Sequence, residues 1–221
     1  MSRVIDLLPI PEMSTVEADG KRFYVTPEGN HYPSVTTVLS EYGDKSGIER
    51  WKERVGEEEA NKILTKASRR GTGVHLLCEK LLLGQQLELN KQLPNQVALF
   101  KQLSPVLDSR VDVVRASECA LYSNKLKIAG RCDAVVRFDG VESILDFKTS
   151  SNVKQEKYIE NYFLQATLYS CMLYEMTGFK TPQIVIAIAV ESQDQPQIFV
   201  KSTDQYIKQA ILATKMYYAK I

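Results

Sequence analysis

The chain has 221 residues, 44% of them apolar, and its 28 basic and 27 acidic side chains leave a net charge of +1. That size and composition suit one soluble domain with a real core, and near-neutral charge means that any site for a polyanion is a local patch. Four cysteines with no CxxC pair argue against a zinc ribbon or a disulfide scaffold, and no apolar run approaches the ~20 residues of a membrane helix.

The first residues, MSRVIDLLPIPEM, lack both the charged start and long apolar run of a signal peptide and the Arg- and Ser-rich pattern of a transit peptide, so a cytoplasmic protein is expected. Residues 1–20 read as irregular because of Pro9 and Pro11. KRFYV (21–25) and HYP (31–33) read as a short hairpin around Pro27 and Gly29. Ser34 is a natural N-cap for a short helix through Leu39, and the hydroxyl-rich start with Ser34 and Thr36 also suits a phosphate. A second short helix from Gly47 to Val55 carries the only tryptophan, Trp51. Helical periodicity then resumes, and Gly71 and Gly73 divide it into helices over 57–68 and 72–83, ending at Gly84. Lys62, Lys66, Arg69 and Arg70 cluster at the junction, either as a solvated face or as phosphate contacts beside glycines that admit a nucleic-acid backbone. His75 and Glu79 share one helix face at i, i+4 spacing. A further helix spans 91–109, followed by a strand over 111–123 with a bulge near Ala116.

The stretch from Gly130 to Lys148 alternates apolar and polar residues on both sides of Asp139-Gly140. Asp-Gly is a strong hairpin signal because both positions of a tight primed turn need positive φ. Centring the turn there sets Phe138 against Val141, Asp133 against Asp146 and Arg131 against Lys148, with Asp133, Asp146 and Lys148 on one face. Opposed Cβ atoms lie about 5 Å apart, so two carboxylates there destabilise the hairpin unless a cation joins them. A divalent metal is one such cation, held by Asp133, Asp146 and the backbone carbonyl of Phe147, and Lys148 would then orient the attacking water and offset charge on phosphorus. Phosphodiester hydrolysis fits this set best. A plain surface charge cluster is the competing reading, a glycosidase fits less well beside a lysine and apolar strands, and no GxxxxGK[ST] phosphate loop occurs.

Beyond the hairpin, a long helix runs from about Ile159 to Thr177, then an apolar strand buried on both faces (182–191), a shorter strand QIFVKS and a closing helix capped by Thr203 or Asp204. The fold class is therefore α/β, a mixed sheet with helices on its faces.

Gly130-x-x-Asp133, Asp146-Phe147-Lys148-Thr149 and Gln165-x-x-x-Tyr169 together resemble the PD-(D/E)xK nuclease superfamily in its RecB-like exonuclease branch. Gly71-Thr72-Gly73-Val74-His75 is similar to that branch's histidine motif, and Tyr32 to Leu39 looks like the subgroup of the mitochondrial genome maintenance exonuclease with its phage and bacterial relatives. The resemblance implies an αβββαβ restriction-endonuclease-like core over 57–221, with 1–56 as an N-terminal elaboration of a single nuclease domain. It implies Asp133 and Asp146 as main metal ligands, His75 as an additional one, Lys148 as the catalytic lysine, and Gln165 and Tyr169 as braces or strand contacts. Thr149, Ser34, Thr36, Arg69 and Arg70 would support the site or touch DNA. The second acidic position is Asp rather than Glu, a shorter ligand. No cysteine follows Cys171, so no iron–sulfur cluster is expected, nor any nucleotide cofactor. The implied activity is a Mg²⁺- or Mn²⁺-dependent DNA exonuclease, in a bacterial or phage-infected cell, on single-stranded DNA with a free end. A groove roofed by residues 40–70 would admit one strand, with Phe23, Tyr24, Tyr32 and Trp51 available for base stacking. Alternatives are a duplex-resecting recombination exonuclease and a non-catalytic DNA-binding protein that keeps the fold.

Overall fold

A computed structural model describes residues 3–18, 20–42 and 46–220. Two strands fall in the segment expected to be irregular. β1 (Val4–Ile5) and β2 (Ser14–Ala18) flank Pro9 and Pro11, so the prolines interrupt only the connector between them. β2, β3 (Lys21–Val25) and β4 (His31–Pro33) form a three-stranded antiparallel sheet. Ser34 then caps α1 (Val35–Tyr42), its Oγ accepting the Thr37 N–H at 3.0 Å.

After α2 (Ser46–Val55), α3 (Glu57–Leu82) is one continuous helix of 26 residues, not the two that its glycines suggested. Glycine inside a helix costs about 1 kcal/mol against alanine, an amount that packing overrides. Here Val74, Leu77, Cys78 and Leu82 of α3 share a core with Leu99, Phe100, Leu103 and Leu107 of α4 (Pro94–Arg110). Gly73 marks a close approach between the two helices: a Cβ there would lie 2.3 Å from the Gln96 side chain. Gln96 is itself fixed, its Nε2 donating to the Arg69 carbonyl at 2.8 Å and its Oε1 accepting the Leu93 N–H at 2.9 Å. Pro105 lies within α4 rather than ending it.

β5 (Val111–Ser123), β6 (Ile128–Phe138) and β7 (Val141–Ser150) make an antiparallel meander, and the register of β5 slips between Val114 and Ala116, near the expected bulge. α5 (Glu160–Thr177) carries the chain over to β8 (Gln183–Val190), which lies parallel to β7, and β9 (Gln197–Ser202) closes the edge antiparallel to β8. The sheet order is β1-β5-β6-β7-β8-β9. Thr203 and Asp204, expected to cap the last helix, form a short 3₁₀ turn instead, and α6 (Ile207–Tyr218) starts beyond it. The apolar run of β8 feeds two cores at once. Ile184, Ile186, Ile188 and Val190 face α1, α5 and α6, while Val185, Ala187 and Ala189 face α3 and α4. No helix among the described residues is long and apolar enough to cross a membrane.

The hairpin register is as its turn chemistry requires. Asp139 (φ 50°) and Gly140 (φ 79°) form the turn, Phe138 faces Val141, and the pairing runs to Ala134 and Leu145. There the ladder between β6 and β7 stops. β6 continues beside β5, where Arg131 pairs with Ala120 rather than facing Lys148, and β7 continues beside β8. The sheet is thus forked, and the first residues past the last pair are Asp133 and Asp146.

Candidate active site at the strand fork

At the fork a side chain takes over a backbone role. Asp133 Oδ2 accepts the Phe147 N–H at 2.7 Å, spanning the gap that the ended ladder leaves. α3 lies over this end of the sheet and brings His75 Nδ1 to 3.4 Å from Asp133 Oδ1, its ring edge-on to Phe147 at 5.9 Å between centroids. β5 supplies Glu118, which lies level with Asp133 between the pairs Ser117–Ala134 and Cys119–Cys132. Glu118 has a left-handed backbone (φ 48°), rare for a residue with a side chain and a mark of functional sites. Ligand atoms of His75, Glu118 and Asp133 all lie within 4.8 Å of one another. The cluster opens into a cleft of about 650 Å³, bordered also by Thr72, Glu79 and Arg131.

Asp146 is 1% exposed, and neither of its carboxylate oxygens accepts a hydrogen bond. The Lys148 ammonium forms an ion pair with Oδ2 and lies 5.2 Å from the centre of the Tyr162 ring. The two aspartates titrate apart. Burial pushes both upward, but at Asp133 the charge and hydrogen bond of His75, the charge of Lys148 and the Phe147 N–H outweigh it and hold the carboxyl below its ordinary range. At Asp146 burial prevails over Lys148, the Asp133 charge adds to it, and the pKa rises to about 6. Burial and then the Asp133 charge raise Glu118 to about 7. Burial disfavours charge on His75 and Lys148 as well, yet the aspartates outweigh it and raise both. Neighbouring groups with diverging pKa values are a signature of acid–base or metal chemistry. The cluster of His75, Glu118 and Asp133, with the buried Asp146 carboxylate acting electrostatically on Asp133 and His75, fits a divalent cation.

The remaining candidates divide. Gln165 and Tyr169 meet on α5, Nε2 to Oη at 3.0 Å, and the Tyr169 ring packs over Gly130, where a Cβ would come within 2.8 Å of it. The glycine of Gly130-x-x-Asp133 therefore makes room for that ring. Arg70 is turned inward: its guanidinium bonds Thr149 Oγ1 (3.2 Å) and Ser151 Oγ (3.0 Å) and pairs with Glu191 (2.6 Å), while Arg69 is exposed. Ser34 is buried and holds Thr36 and Thr37 through their hydroxyls, so its oxygen is committed to the helix start. Of the aromatics expected to stack on bases, Tyr24 is buried in a small core with Met13, Ala120 and Ala129. Residues 43–45 of the segment expected to roof a groove lie outside the described residues. Glu118 and Tyr162 were missed as site residues.

The sequence is 26% identical over 145 residues to mitochondrial genome maintenance exonuclease 1 of Mus musculus. That relative is, by its name, an exonuclease. The match takes in 62% of this chain but 43% of the mouse protein, so the chain spans less than half the length of that relative. No protein-family model matches. Among solved structures, the crystal structure of SSO0001 overlays with a TM-score of 0.42 at 15% identity, over 76% of this chain and 68% of that one, and adds nothing to the fold described above.

Proposed function

We propose that the chain is a divalent-metal-dependent DNA exonuclease of the PD-(D/E)xK superfamily, in its RecB-like branch, with 57–221 as one nuclease core and 1–56 as an elaboration. The observation that carries this reading is Asp146. An ionised carboxylate buried without hydrogen bonds costs several kcal/mol unless a cation offsets it, and Lys148 meets only one of its two oxygens. Mg²⁺ or Mn²⁺ suits the oxygen-rich set of Asp133, Asp146 and the Phe147 carbonyl, with His75 and Glu118 beside it. N–H and C=O of one strand residue project to the same edge. The Phe147 N–H bonds Asp133, so its carbonyl faces the fork too. When bound, the metal supplies positive charge that polarises a phosphoryl oxygen and acidifies a water.

The chain's own residues do the rest. Asp133 fixes the His75 ring through Nδ1 and ties β6 to β7. Lys148, kept as an ammonium by Asp146 and Asp133, is placed to donate to the attacking water and to the charge that gathers on the phosphate oxygens. The Tyr162 ring backs that ammonium, and the Gln165–Tyr169 pair braces β6 at Gly130. Single-stranded DNA with a free end is the proposed substrate: the resemblance in motifs favours the single strand, and the mouse relative's name as an exonuclease favours the free end. The test is Lys148→Ala, which should abolish hydrolysis of a linear single-stranded oligonucleotide while DNA binding persists. Hydrolysis at the wild-type rate would overturn the assignment. Closed single-stranded circles should resist digestion, and equal cutting of circles would rule out the need for an end.

A further inference from the structure

A second concavity, of about 880 Å³, lies along the N-terminal half of α3 against the start of α4, away from the catalytic cleft. Lys62, Lys66 and Arg69 recur at i, i+4 and i+7 along it, one per helical turn and all exposed, with Asn61, Thr65 and Asn95 between them. Glu58 is the acidic residue in the wall. Its ion pair with Lys62 (2.8 Å) is highly exposed on both sides, at 63% and 86%, so it is weak and ready to exchange for another anion. Arg70 also borders the concavity, but Glu191 already answers its charge. The opposite wall begins with Pro94 and Asn95 at the start of α4, the positive end of that helix's dipole.

We infer that this groove holds the phosphodiester backbone of single-stranded DNA outside the catalytic cleft. The inference rests on the nuclease reading for its choice of ligand, and two further observations support it. Lys62, Lys66, Arg69 and Arg70 line the groove against one acidic side chain, Glu58. At about 1.5 Å of rise per residue, Arg69 stands about 9 Å and Lys62 about 20 Å before His75 along α3, with the groove and the cleft on different faces of that helix. One cation per turn along a rod is a repeat that successive phosphates can follow.

The experiment is salt-dependent binding of a labelled single-stranded oligonucleotide to the full chain in EDTA, where hydrolysis is silent. Each phosphate contact contributes about 0.7 to the slope of log affinity against log salt for single strands. Lys62→Ala/Lys66→Ala/Arg69→Ala should therefore flatten the slope by about 2, so that its affinity deficit shrinks roughly 16-fold between about 50 and 200 mM salt. Lys208→Ala/Lys215→Ala, which removes exposed charges on α6, should leave the slope unchanged. An unchanged slope in the triple variant, or the same change per charge in the α6 control, would overturn the groove assignment. Hydrolysis by the wild type with Mg²⁺ is scored separately. Its absence would count against the nuclease reading without touching the slope.

Discussion

Two glycines two residues apart in α3, Gly71 and Gly73, are expected to respond to the same substitution with opposite sign. Alanine gains about 1 kcal/mol over glycine inside a helix, and that gain applies equally to Gly71→Ala and Gly73→Ala. At Gly71 the new methyl would lie 3.8 Å from Thr149 Oγ1, an ordinary contact, so the gain is kept. At Gly73 it would lie 2.3 Å from the Gln96 carboxamide, which must move. Moving it breaks the bonds to the Arg69 carbonyl and the Leu93 N–H. Each bond is worth about 1 kcal/mol, and a buried polar group left unpaired costs about 1–3 kcal/mol more. The net expectation is about 1 kcal/mol of stabilisation for Gly71→Ala and about 2–4 kcal/mol of destabilisation for Gly73→Ala. Urea unfolding measures both, and for a chain of this size each kcal/mol moves the melting temperature by about 2–4 °C. Gln96→Ala should relieve much of the Gly73→Ala clash, a coupling readable in a double-mutant cycle. Equal stability of the two glycine variants would refute the close approach of α3 and α4.

Two further outcomes follow from the site. Asp146 holds its proton to about pH 6 in the folded protein but releases it near its ordinary 3.8 when unfolded, so its contribution to stability is full below about pH 4 and lost as pH rises through 6. Asp133, lowered by folding, acts in the opposite sense, losing its contribution on acidification. Asp146→Asn should thus flatten the decline in urea midpoint between about pH 4 and 6 in metal-free protein, and an unaltered profile would contradict the burial argument. Gly130→Ala would press a methyl against the buried Tyr169 ring, at 2.8 Å, and against Val35 at 3.4 Å. Overpacking of this kind costs about 1–3 kcal/mol in urea unfolding, and an unaffected midpoint would show that the ring can yield.

What the sequence disclosed depended on how local the cause was. The Asp139-Gly140 turn and the alternation around it fix the register within a few residues, and the structure has that register. The apolar run of β8 is equally direct, because both faces are covered. The continuity of α3 was not legible, since it depends on Gln96 and the core of α4, more than 20 residues away. The inward turn of Arg70 is set by Glu191, more distant still. β1 is two residues long and exists only through its pairing with Val113 and Val114. Glu118 hid for a subtler reason. The bulge at Val114–Ala116 and the left-handed backbone at Glu118 itself both interrupt the alternation from which its face would be counted.

The fork gives the two aspartates different mechanical footings. Asp133 moves with the β5–β6 half of the sheet and Asp146 with the β7–β8 half, and the halves are joined through the short ladder from Ala134–Leu145 to the turn. That far end is clamped, since Arg110 grips the Asp139 carboxylate at 3.1 Å through Nε and accepts the Asp139 N–H at its carbonyl, at 2.9 Å. The two halves are therefore fastened at both ends of that ladder, by the Arg110–Asp139 clamp at the turn and by the Asp133–Phe147 hydrogen bond at the fork, so the aspartate that meets the cleft is also the pin that holds the sheet's two halves together.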